Sequence, residues 1–221
     1  VLSVAGILPA EVLAQLAARA DGPRLAPLLA QLFLAAPGRE DDFAAEALRE
    51  ARLVQERAAL LTADVARRDL HGRVARLAEH LMGHASPPWK DRLRRALGGG
   101  ERSLDGGQVR AELLAIQREL KSVLAPSERL VREAEPALEE LALCRAALEL
   151  AQPWLDATAA ARRLRLLDAA HNGCSLVPAQ ARHVALQLEE LADRLQTIEH
   201  ATLPAVLNAQ AARRLGESGE D

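Results

Sequence analysis

His80 and His84 stand four residues apart in "EHLMGH", so a helix would carry both imidazoles on one face, where they could share a divalent metal. Glu79 or His71 would supply a third ligand only after adjustment of the register. The order is His-Leu-Met-Gly-His, which lacks the glutamate that a zinc protease places after its first histidine. Gly83 and Ser86-Pro87-Pro88 predict that the helix frays at this point. The plainer reading of the pair is therefore two incidental surface histidines, with His171, His183 and His200 as scattered surface or seam residues. Just beyond, Trp89, Lys90, Arg92, Arg94 and Arg95 form a basic, partly aromatic patch that could touch phosphate or an anionic lipid surface. A solvated face is the simpler account of that patch, and of the cluster Arg162, Arg163 and Arg165.

Other constellations fail on chemistry. Gly98 to Gly100 and Gly106-Gly107 precede no Gly-Lys-Ser/Thr and follow no strand pattern, so they make no phosphate loop. Glu139-Glu140 and Glu189-Glu190 are neighbours in sequence and would point about 100° apart on a helix, which is wrong for an acid/base couple. Cys144 and Cys174 have no metal spacing and read as reduced, buried thiols. No catalytic set emerges, and no cofactor is expected beyond the metal that His80 and His84 would share.

The elements that must hold these residues are helical. Hydrophobic residues make up 49% of the 221, yet aromatics only 2% with no tyrosine, so the apolar content is Ala, Leu and Val. A net charge of −3 gives no global attraction to nucleic acid or to an anionic membrane. Leu25 to Ala36 is too short to span a bilayer and reads as a core helix, and the cytoplasm is the expected compartment. Pro9 opens a helix that Asp21-Gly22-Pro23 should end, a second runs from Arg24 to Ala36, and Asp41-Asp42 offers a cap to a long third. In that third helix Gly72 interrupts the pattern before Val74, Leu77 and Leu81 resume it.

Residues 83–107 are rich in Gly and Pro around the basic patch and read as a linker. The expected division is an N-terminal helical region 1–82, that linker, a C-terminal long-helix bundle 108–216 and a disordered tail 217–221. Within the C-terminal part, Leu113, Ile116, Leu120 and Val123 make a seam that Pro126 should interrupt. Ser127 should cap a new helix, which Pro136 should kink. Another helix runs from Trp154 to Ala170 with Asn172-Gly173 as its stop, and Pro178 opens the last long one. There Val184, Leu188, Leu191, Leu195 and Ile198 alternate steps of four and three, a heptad seam. Pro204 then interrupts the helix, and the bend should redirect Val206, Leu207 and Leu215 onto a neighbour. The fold class is all-α, a bundle of long coiled-coil-like helices with proline kinks. Seams of this length close within one chain or between two copies, so a homo-oligomer belongs among the partners considered.

One stretch carries a family likeness. Leu195-Gln196-Thr197 leads to Thr202-Leu203-Pro204, Asn208 stands four residues after the proline, and Leu215-Gly216 closes the run. This order, with "VALQ" (Val184 to Gln187) upstream, resembles the C-terminal part of the toxic-anion (tellurite) resistance family, the TelA-like proteins. The central helix "ELLAIQRELKSVLAPSERLVREAEPALEELALCRAALELA" and the preceding "PPWKDRLRRALGGG" occupy matching places, so the likeness covers Gln108 to Gly216. Val206-Leu207 replaces the family's Trp-Lys, and the spacing from the Leu-Gln element to the proline is about two heptads short. The resemblance implies a cytoplasmic, non-enzymatic helical protein linked to tellurite or envelope stress, working as a scaffold that binds other proteins. The alternatives are a metal- or small-ligand-sensing bundle built on His80 and His84, and a membrane-surface binder acting through Trp89 to Arg95.

Overall fold

The computed structural model describes residues 7–34, 40–84 and 105–217, and every regular element among them is helical. The order is α1 (Ala10–Ala17), α2 (Gly22–Leu34), a 3-10 turn (Glu40–Asp42), α3 (Ala45–Arg68), α4 (Leu70–His84) and α5 (Gly106–Ala151). A second 3-10 turn (Gln152–Trp154), α6 (Ala157–Ser175), α7 (Val177–Thr197), a π-helical turn (Ile198–Thr202) and α8 (Leu203–Glu217) follow. The all-α bundle class expected from composition is what the chain adopts. Among the described residues, no helix is long and apolar enough to cross a membrane.

The division into sequential halves is corrected. One compact unit joins Val1–Leu60 to Glu128–Arg182, and the other joins Leu61–Ser127 to His183–Asp221. Residues before and after the expected linker therefore share each core, because helices of this length contribute one stretch to each unit. Of the linker, Gly83 and His84 end α4 and Asp105 caps α5 by accepting from the Gly107 and Gln108 amides at 2.8 and 3.3 Å. Residues 85–104 and the tail 218–221 lie outside the described residues.

In the first unit α1 packs on α2 through Val12 and Leu16 against a stripe of Leu25, Leu29 and Leu32. The Asp21-Gly22-Pro23 breaker opens α2 instead of merely ending α1. Gly22 is required there: a Cβ would lie 2.2 Å from the Leu16 carbonyl oxygen. α3 buries Ala47, Ala51, Val54 and Ala58, and such small side chains allow close approach. Gln55 beside them donates to the Ala170 carbonyl at 3.1 Å and fills the space that Gly173 leaves. Asn172-Gly173 is thus no helix stop. α6 starts on its cap Asp156, which accepts from the Ala159 amide at 2.7 Å, and runs on to Ser175.

The second unit is built on one apolar cluster. Leu70, Val74, Leu77 and Leu81 of α4 meet Val109, Leu113, Ile116, Leu120 and Val123 of α5. Leu188, Leu191 and Leu195 of α7 join them, with Ile198, Leu203 and Val206 beyond. The break between α3 and α4 falls at Asp69, φ 46, three residues before the glycine expected to interrupt the pattern. Gly72 lies inside α4, where it leaves room for the Asp69 carboxylate over the first turn. Arg73 donates to both Glu112 and Glu119, so one guanidinium ties α4 to two positions a heptad apart on α5.

Neither Pro126 nor Pro136 ends or restarts a helix. α5 runs unbroken for 46 residues, and Ser127 is a fully buried residue whose hydroxyl donates back to the Leu124 carbonyl. Both prolines are exposed, Pro136 on the side of α5 away from the buried Val123, Leu130, Ala134 and Leu141, and Pro126 on the flank of that stripe.

Gly22→Ala is expected to destabilise the first unit by about 1–3 kcal/mol, because the clash is with backbone that cannot rotate away. Urea denaturation followed by circular dichroism measures it, and unchanged stability would contradict the close approach of α1 and α2.

Candidate functional site

The residues singled out on α7 form a site of packing. Leu188, Leu191 and Leu195 are each 1% exposed and Ile198 6%, so these members of the heptad seam lie inside the second unit's core, with Val184 half-buried against it. A straight α-helix would next bring Thr202 and Ala205 to the same face. The structure buries Leu203 and Val206 instead, while Thr202 is half-buried and Ala205 exposed. The π turn makes the difference. The Leu203 amide donates to the Ile198 carbonyl five residues back, which absorbs one extra residue and restores the phase of the stripe.

Pro204 is the second residue after this turn, and it is exposed. It supplies no amide hydrogen, so it suits a place where the helical ladder is already interrupted. Gln117 of α5 donates to the Glu199 carboxylate at 2.8 Å and ties the turn to its neighbour. Val206 and Leu207 pack on the core as the bend was expected to make them, and α8 packs against α4. Leu215 does not follow them: it is 77% exposed.

His80 is exposed on α4, whose inward positions are Leu77 and Leu81, and the side chain of His84 is outside the described set. Among the described residues, no three His, Cys, Asp or Glu side chains converge as a metal site. The basic patch Lys90, Arg92, Arg94 and Arg95, with Trp89, lies outside the described residues.

The arginine cluster on α6 is a solvated face only in part. Arg162 makes an exposed pair with Asp41, but Arg163 is buried and donates through Nε to the Phe43 carbonyl. Spacing held a signal for this: 159, 163 and 167 share one helical face, and its other two members, Ala159 and Leu167, are buried. Burial holds Arg163 below the usual arginine range, with Asp41 and Asp42 acting in the opposite direction.

Both cysteines are free and buried, as expected. Burial, helped by the charge of Glu140 and opposed by Arg163, pushes the Cys144 thiol up to about 12, and burial also raises Cys174. Neither is a poised nucleophile at neutral pH.

Comparisons with protein-family models, with curated proteins and with solved structures give no match to this chain.

Two predictions follow from the turn and from the thiols. Deleting Ala201 puts Leu203 and Val206 on the seam of a straight α-helix but leaves the proline inside that helix, at a cost of about 3 kcal/mol. Combining the deletion with Pro204→Ala should recover that loss, so chemical denaturation of the pair isolates the proline. A double variant no more stable than the single deletion would show that the turn does more than keep phase. For the thiols, the unfolded chain releases its Cys144 proton near the ordinary 9.0 while the folded chain holds it to about 12. Stability is therefore fully present below pH 9 and falls as pH rises above it, with a slope of at most about 1.4 kcal/mol per pH unit for each thiol. The chain has no tyrosine and only Lys90 and Lys121 as lysines, so few other groups titrate between pH 8.5 and 10.5. Cys144→Ala should flatten the stability profile measured by urea titration over that range.

Proposed function

We propose that the chain is a non-enzymatic helical scaffold that binds other proteins in the cytoplasm, in the manner of toxic-anion (tellurite) resistance proteins. The observation that carries this reading is the split within Leu195 to Gly216. Its apolar members Leu195, Ile198, Leu203 and Val206 are buried in the second unit, whereas Gln196 and Asn208 are exposed and carry no packing. Thr197 is also exposed, its hydroxyl donating back to the Asp193 carbonyl. The core accounts for these four residues without any family. The outward amides are what a partner would read, and they are among the residues on which the resemblance rests.

The experiment is deletion of the gene in its own host, scored by survival on graded tellurite. Increased sensitivity, restored by the intact gene, supports the stress association. Complementation with Gln196→Ala/Asn208→Ala then separates recognition from folding, because exposed substitutions of this kind cost within about 0.5 kcal/mol. The double variant is expected to fold and to fail in rescue. Unchanged survival on deletion overturns the stress association, and full rescue by the double variant overturns recognition through this face.

A further inference from the structure

Two exposed leucines of the second unit stand on helix faces of opposite charge. Leu114 of α5 is 47% exposed and Leu186 of α7 is 64% exposed. Four and seven residues after Leu114 come Arg118 and Lys121, and at the same steps after Leu186 come Glu190 and Asp193. Positions spaced in this way share one side of a helix, and all six residues are exposed. Arg110 precedes Leu114 on the first face and Glu189 stands beside Glu190 on the second, so each face has one prevailing sign.

Folding makes little use of these charges. The acids of α5 in this unit, Glu112 and Glu119, are both bonded to Arg73, whereas Arg110, Arg118 and Lys121 make no ion pair among the described residues. On α7, Glu190 pairs with Arg194 of its own helix at 2.5 Å, and Glu189 and Asp193 make no ion pair among the described residues. One exposed leucine is ordinary and needs no partner. Two faces with one spacing and opposite signs are complementary. The leucines of the heptad seam are spent inside the core, so contact between copies has to use outer faces such as these. We propose that a second copy of this chain docks here, the α7 face of one lying along the α5 face of the other. In parallel register Leu114 meets Leu186 of the second copy, Arg118 meets Glu190 and Lys121 meets Asp193. Ala111 and Ala125, both exposed on the same side of α5, leave room for the helices to approach. Self-association of this kind needs no host component, so it is independent of the stress association.

Sedimentation velocity of the purified full chain over a range of concentrations tests this. Species heavier than the 23.8 kDa monomer are expected to appear as concentration rises. A contact of one helix on one helix is small, below about 1,200 Å², so association should be weak, and it should fade near about 1 M salt, where charges are screened within about 3 Å. Arg118→Glu/Lys121→Glu and Glu190→Lys/Asp193→Lys should each weaken it by at least about tenfold, because each sets like charges across the contact. Neither variant touches the core, and circular dichroism should show both folded. Mixed in equal amounts, the two variants should associate again, since the acidic α5 face of one now fits the basic α7 face of the other. A chain that stays monomeric into the millimolar range overturns the second copy as occupant and leaves the basic face to an acidic helix of another protein. Charge reversals that leave association unchanged, or a mixture that stays monomeric, overturn the pairing of these two faces.

Discussion

Phase governs the second unit. An α-helix turns about 100° per residue, so a stripe stays on the core only where apolar residues recur at steps of three and four. From Leu188 to Ile198 the sequence obeys, and then the next large apolar residue comes five positions on, at Leu203. A regular helix would carry Thr202 and Ala205 inward and leave Leu203 and Val206 in water. Burying a leucine and a valine stabilises by about 1.5–3 kcal/mol each, whereas a π turn weakens one or two backbone hydrogen bonds worth about 1 kcal/mol apiece. Burial wins, and the backbone takes the extra residue.

The same balance explains why the chain's prolines have such different outcomes. Pro126 and Pro136 each remove one hydrogen bond from α5, and local rules therefore predict a boundary and a kink. Yet the helix runs on through both, and the buried stripe of Val123, Leu130, Ala134 and Leu141 continues past them. Tertiary burial over so long a helix outweighs two missing amides. Pro204 differs because the phase of the stripe already demands an irregular turn beside it. The positions of these prolines were legible in the sequence, but the continuity of α5 through Pro126 and Pro136 was not, since it depends on what the rest of the helix buries.

Apolar periodicity was the most legible signal. The stripes of α4, α5 and α7 stand in the sequence at the spacings the core uses, and the helical class follows from them. Glycines were read less well. Gly22 and Gly173 look like punctuation along the chain, but each makes room for a neighbour, the Leu16 carbonyl in one case and the Gln55 amide in the other. Long-range polar ties were the least legible, because nothing local marks Arg73 as the link to Glu112 and Glu119. Arg163 is instructive in the other direction. Its place between Ala159 and Leu167 was visible, but charge suggested surface where position implied core. The structure follows position, and the conflict leaves a guanidinium nitrogen without a partner among the described residues.

For the candidate site, the question is which residues folding alone requires. Leu188, Leu191, Leu195 and Ile198 stood out in the sequence because they are regular, and regularity is what a core selects. A likeness to another family that rested on those leucines would therefore carry little information, since any helix packed in this way repeats it. Gln196 and Asn208 are different. Nothing in the second unit's core depends on an amide at either position, and an exposed alanine would serve a helix at least as well. In the function proposed above a partner would read the outer face of the stretch, while its inner face belongs to the core.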